Sequence, residues 1–190
     1  MLPKEIKQLE TIFENRYQTL CHVRADFENN SKDYYVTNYG ARAGVLVFRE
    51  NKILLTKQYR LLINDYSLEI PGGKIEEGEL PEEAAIRECL EETGILCSAL
   101  KHLITYHPSL DNLYNPTHVF VTSDSEDIDK NKYLENGEVV GYQWVDFSEC
   151  VDMVRRGGIS DIFTMVTVYA YLHANGLEKN NRSNTNTDQP

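Results

Sequence analysis

PGGKIEEGELPEEAAIRECLEETGI, residues 71–95, sets glycine-punctuated turns around a single helical segment. Pro71-Gly72-Gly73 cannot continue a strand, and its glycines permit a sharp turn or a close backbone approach. Gly78 punctuates the loop that follows. Pro81 suits the first helical turn, where its missing N–H costs little. Glu82 and Glu83 favour the positive end of the helix dipole. Gly94 stands where a helix C-terminus takes a left-handed residue. The pattern predicts a helix over 81–93. On a wheel of about 100° per residue, Ala85, Ile86, Cys89 and Leu90 share one face. Glu88, Glu91 and Glu92 share the other, so three carboxylates converge at one spot with only Arg87 near. Glutamates alone fit an acidic solvated helix. Three like charges so close repel, and a hard divalent cation such as Mg²⁺ would remove that conflict, since it prefers carboxylate oxygens and keeps waters for substrate phosphates.

N-terminal to this stretch, residues 4–15 place Ile6, Leu9, Ile12 and Phe13 at helical spacing and predict a short amphipathic helix. Tyr17–Phe27 and Tyr34–Tyr39 read as two strands around ENNSKD. Ala43–Phe48 is a continuous apolar run suited to a buried strand, Arg49-Glu50-Asn51 a turn, and Lys52–Lys57 the returning strand. Thr117–Thr122 and Val139–Asp146 predict further strands. Helices are expected at 148–156, capped by Asp146 or Ser148, and at 160–175, capped by Ser160. Hairpin-like succession with helices between and after favours an α+β layered fold over a parallel doubly wound sheet. Residues 176–190, GLEKNNRSNTNTDQP, carry one apolar side chain and are expected to be a disordered tail.

The 190-residue chain is long enough for one well-cored domain. Its net charge of −11 opposes binding driven by a nucleic-acid backbone. A small phosphorylated ligand stays compatible, because a metal can invert the local field. No apolar run approaches the ~20 residues of a membrane span, and the first residues lack the apolar core of a signal peptide. The four cysteines (21, 89, 97 and 150) form no C-x-x-C pair. That argues against a zinc knuckle or a disulfide framework and for a reduced, cytoplasmic protein.

Gly73, five residues, Glu79, seven residues, Arg87-Glu88-Cys89, one residue, Glu91-Glu92, one residue, Gly94-Ile95 resembles the Nudix box at every fixed position; Cys89 fills a site that is usually aliphatic. The resemblance implies an α/β/α sandwich with a mixed sheet over residues 41–175. It implies attack of water on a phosphorus of a nucleoside diphosphate linked to another group. Carried over by position, Glu88 and Glu92 resemble the main Mg²⁺ ligands, with Mn²⁺ a possible substitute. Glu91 resembles a further ligand or the base, and the Gly72 carbonyl a backbone ligand. Glu79 and Arg87 resemble a bracing pair, with Arg87 also placed among the catalytic candidates.

The flanks resemble the ADP-ribose and nucleotide-sugar pyrophosphatase branch. Lys57-Gln58-Tyr59-Arg60 with Leu68-Glu69-Ile70 leads into the box as it does there, and Val154–Asp161 resembles that branch's ending. Residues 1–40, a helix and strand pair, resemble the small extra domain through which such enzymes form homodimers. Arg60 is then expected to meet the diphosphate, and Tyr17 or Tyr34 to stack on the base across the dimer. Glu138 or Glu135, beside Gly137 before a late strand, is the expected extra glutamate, with Glu138 favoured as base. His107 and His118 are expected to be structural. The proline marking the ADP-ribose group lies somewhat beyond the position of Pro108, so GDP-mannose and other nucleotide sugars stay open. Dinucleoside polyphosphate hydrolysis and a non-catalytic nucleotide-sugar sensor are the remaining alternatives.

Overall fold

The computed structural model describes residues 2–128 and 139–176. In chain order the elements are β1 (Glu5–Glu14), β2 (Thr19–Asp26), β3 (Ser31–Asn38), β4 (Arg42–Arg49), β5 (Lys52–Arg60), β6 (Asp65–Glu69) and β7 (Gly72–Lys74). There follow α1 (Pro81–Thr93), β8 (Ile95–Ser98), β9 (Lys101–Tyr106), β10 (Leu113–Tyr114), β11 (Thr117–Thr122), β12 (Asp124–Asp127), β13 (Val139–Asp146), α2 (Phe147–Arg155) and α3 (Ile162–Ala174).

The central mixed sheet runs β13-β5-β4-β11-β9, with β6 on β5 and β7 on β4. β4 and β11 are parallel; the other pairs of this sheet are antiparallel. Alternation along β4 supplies both faces, as a strand's two-residue period requires. Ala43, Val45 and Val47 join Leu54, Ala84, Ala85 and Cys89 beneath α1. Leu46 and Phe48 join Ile53, Leu55, Val151, Val154, Phe163 and Val168 beneath α2 and α3. The expected α+β sandwich with helices on both faces is what the chain forms.

β4 and β5 pair only next to their turn, Phe48 with Ile53 and Arg49 with Lys52. Beyond that they part. β6 extends along β5 and β7 along β4, so Ile70 and Pro71 cross the fork between them. Phe163 of α3 fills the fork: a Cβ on Gly44 would lie 2.3 Å from its ring.

Residues 4–15 are not a helix but the long strand β1, antiparallel to β2. The register slips between Gln8 and Glu10 and between Thr11 and Phe13, leaving Leu9 and Ile12 as inserted residues. Two bulges turn a strand's two-residue spacing into three, which imitates a helical stripe. β1, β2, β3 and the short β10 make a separate four-stranded sheet. The caps also differ. Asp146 precedes α2 without a side-chain cap bond, and α3 is capped by Asp161 rather than Ser160, its carboxylate accepting from the Thr164 N–H at 2.8 Å. β6 to β10 and β12, most of them short, were not anticipated. Among the described residues no helix is long and apolar enough to cross a membrane.

Candidate active site

The fork delivers Gly72 and Gly73 directly under α1. Pro81 opens that helix, the Glu83 carboxylate accepts from the Leu80 N–H at 3.0 Å, and Gly94 closes it at φ 69° with its N–H on the Leu90 carbonyl. Ala84, Ala85, Cys89 and Thr93 are its buried residues, so the apolar face is centred one position from the wheel's expectation. Glu88 and Glu92 lie along that buried side and point their carboxylates at β7, while Glu91 stands on the outer flank.

Glu92 Oε2 accepts from the Gly72 N–H at 3.0 Å, and Oε1 accepts from Gln58 Nε2 at 2.8 Å. Its hydrogen-bond donors are neutral and its surroundings buried. Burial therefore pushes its carboxyl up to about 8, and the nearby Glu88 charge adds to this. Glu88 packs on Gly73: a Cβ there would lie 2.5 Å from the Glu88 carboxylate. Burial raises the Glu88 carboxyl as well, while Arg87 pulls it back. A Cβ on Gly72 would likewise lie 2.5 Å from the Ala43 carbonyl oxygen, so each glycine of the pair has its own steric reason.

Arg87 holds the loop to the helix. Nε and Nη2 donate to the two oxygens of Glu79 at 2.8 and 2.9 Å, and Nη2 also to the Lys74 carbonyl at 3.0 Å. Nη1 donates to Glu88 at 2.8 Å and lies 3.5 Å from Glu91. Glu79 keeps its carboxyl low, chiefly through the Arg87 hydrogen bonds. The Glu91 side chain is the most open of the three helix glutamates, 40% exposed against 16% for Glu88.

Among the described residues no three His, Cys, Asp or Glu side chains enclose an ion by themselves. A hard divalent cation such as Mg²⁺ needs fewer: one or two carboxylates, with remaining positions left to water and phosphate. Glu92, buried on neutral donors that do not compensate its charge, fits that requirement. Glu88 and the Gly72 carbonyl supply further hard oxygens close by.

The structure commits Arg60 to the buried Glu69, through both Nε and Nη2. Tyr17 lies at the tip of the β1–β2 turn beneath Arg16, and Tyr34 on β3 beneath Lys32. Both sit on the N-terminal sheet, and no contact joins either to the helix glutamates among the described residues. Glu135 and Glu138 lie outside the described residues. His107 is exposed, and His118 Nδ1 bonds the Thr105 hydroxyl at 3.1 Å. Two residues that bear on the glutamates were not singled out for this by sequence. One is Gln58, named only within a flanking motif. The other is Arg42, whose Nη2 lies 3.4 Å from the Gly72 carbonyl. Neither carries a local signal, because each meets its partners only through the sheet.

The NUDIX domain family model matches residues 38–161. The ADP-ribose pyrophosphatase of Bacillus subtilis is 31% identical over 74% of this chain and 74% of its own. The methanol dehydrogenase activator of Bacillus methanolicus is 30% identical over 84% of this chain and 87% of its own. The crystal structure of an ADP compounds hydrolase matches at TM-score 0.74 over 93% of this chain and 97% of that one; at 19% identity this likeness shows the fold. With the box residues gathered on one helix and one glycine loop, the chain belongs to the Nudix family as a pyrophosphohydrolase of its ADP-ribose pyrophosphatase-like branch.

Proposed function

We propose that this protein hydrolyses the pyrophosphate bond of a nucleoside diphosphate sugar of the ADP-ribose kind, giving a nucleoside monophosphate and a sugar phosphate. The observation that carries the reading is the pair of half-buried carboxylates, Glu88 and Glu92, held against the backbone of Gly73 and Gly72. Glu88, Glu92 and the Gly72 carbonyl are the groups that would hold Mg²⁺ or Mn²⁺, with Glu91 as a further ligand. Such an ion, when bound, supplies charge neutralisation on the diphosphate and a more acidic water.

The chain's own residues do the rest. Glu79 and Arg87 fix the loop to α1, so that Glu88 and Glu92 meet substrate already in place. A base must take the proton of the attacking water, and Glu91 and Glu138 are the two candidates. Arg60 spends Nε and one Nη2 hydrogen on Glu69, and its charge is already balanced there. A homodimer through residues 1–40 would bring Tyr17 or Tyr34 of one copy to the base held by the other. Four free, buried thiols are in keeping with a reducing, cytoplasmic setting.

Product analysis with ADP-ribose, GDP-mannose and a dinucleoside tetraphosphate, each with and without Mg²⁺, tests the reading. Metal-dependent release of AMP and ribose phosphate is the expected result. Turnover of none of the three would sink it. Glu91→Gln and Glu138→Gln at saturating Mg²⁺ then identify the base. The true one should lose about 10²–10⁴-fold in kcat, with KM nearly unchanged.

A further inference from the structure

Three arginines bear on the glutamates of α1, and their partners differ. Arg87 is neutralised by Glu79 and Glu88. Arg60 is neutralised by Glu69. Arg42, half-buried at the start of β4, has no carboxylate partner among the described residues. Its guanidinium lies over the Phe163 ring, 5.1 Å from the centroid, and its Nη2 reaches the Gly72 carbonyl at 3.4 Å. Its charge is felt by both Glu88 and Glu92. The ring that carries it sits there because Gly44 and Gly72 have no side chains: a Cβ on either would lie within 2.9 Å of Phe163. The fork therefore builds a shelf for one cation at the mouth of the acidic cluster.

A guanidinium offers five donors in a planar fork, and among the described residues this one uses a single long bond, to a carbonyl. Stacked on an aromatic face, it keeps its edges free, the arrangement that suits bidentate contact with a phosphate. A diphosphate brought to Glu88 and Glu92 adds negative charge to a site whose other two arginines are already paired. We propose that Arg42 is the side chain that binds the substrate's diphosphate, reaching it from the Phe163 shelf. The inference rests on the nucleoside diphosphate reading above and adds the residue that recognises the phosphates.

The rival role is structural: Arg42 merely braces the Gly72 carbonyl. Binding separates the two. Titrate wild type, Arg42→Gln and Arg42→Lys with ADP in Mg²⁺ by calorimetry, and with Mn²⁺ alone by electron paramagnetic resonance. Arg42→Gln should weaken ADP by roughly 10- to 100-fold, the worth of one charge-assisted hydrogen bond. Its Mn²⁺ affinity should hold or rise, since a competing positive charge is gone. ADP affinity equal to wild type overturns the proposal. So does a loss of Mn²⁺ affinity matching the loss for ADP, which is the bracing signature. Should Arg42→Gln not fold, Arg42→Lys keeps the charge but not the fork. Its ADP affinity should fall several-fold with Mn²⁺ binding intact, and wild-type ADP affinity would overturn the proposal. A wild-type protein that neither binds ADP nor cleaves any nucleoside diphosphate sugar takes the functional reading down as well. If wild type binds ADP and Arg42→Gln matches it, only the role of Arg42 falls.

Discussion

Glu92 is the residue whose environment asks most of it. Its carboxylate is buried on neutral donors, and its carboxyl stands at about 8 against an ordinary 4.5. A carboxyl raised on folding contributes stability below its unfolded value, and that contribution is lost as pH rises through the folded value. In chelator, the melting temperature of Glu92→Gln should therefore rise relative to wild type as pH goes from about 5 to 8. Mg²⁺ should close the gap by stabilising wild type alone; a gap independent of pH would contradict this. The same variant should lose nearly all turnover, since a metal ligand supplies several kcal/mol of transition-state charge stabilisation. Gly73 is the second residue under constraint, because any Cβ there strikes Glu88. Gly73→Ala should fold, yet lose on the order of 10²-fold in kcat/KM as Glu88 is displaced by about an ångström. Near wild-type turnover in that variant would show that Glu88 relocates freely.

At the scale of elements, the site depends on α3 as well as on α1. Asp161 caps α3 and also accepts from the Thr164 hydroxyl at 2.8 Å; that hydroxyl in turn accepts from the Ile70 N–H at 3.0 Å. One carboxylate thus ties the helix that carries Phe163 to the segment crossing the fork. Asp161→Ala should cost about 1–2 kcal/mol, the range of a lost N-cap. Because Phe163 supports Arg42, it should also weaken ADP binding, measured beside chemical denaturation. Asp161→Asn, which keeps an acceptor, should recover most of the stability. Equal stability of the alanine variant and wild type would show that the cap contributes nothing.

For the whole molecule, the N-terminal sheet is the part without a core of its own. Every residue of β1 is exposed, Ile6, Leu9, Ile12 and Phe13 among them, and Tyr17, Tyr35 and Tyr39 add to the apolar surface. Apolar surface arrayed on an exposed edge strand is where chains pair. Light scattering at micromolar concentration should find a homodimer. Ile6→Lys with Phe13→Lys should shift it to monomer while leaving Mn²⁺ affinity unchanged, since neither residue approaches Glu88 or Glu92. A monomeric wild type with full activity would reject the dimer.

Features set by neighbouring residues can be read along the chain. The bounds of α1, the left-handed Gly94 and the convergence of Glu88, Glu91 and Glu92 follow from helical period and terminus preferences, which act over a few residues. The strands β4, β11 and β13 were legible because each is a run with one dominant pattern. β1 was misread because two bulges, visible only once β2 is paired with it, change the strand's period. Tertiary structure alone decided the partners across the fork. Gln58 meets Glu92, Glu69 neutralises Arg60, and Arg42 rests on Phe163, separations of 34, 9 and about 120 residues in the chain. No local preference encodes such pairs. They exist because β4 and β5 diverge and α3 fills the gap, which leaves Arg42 rather than Arg60 without a carboxylate partner among the described residues.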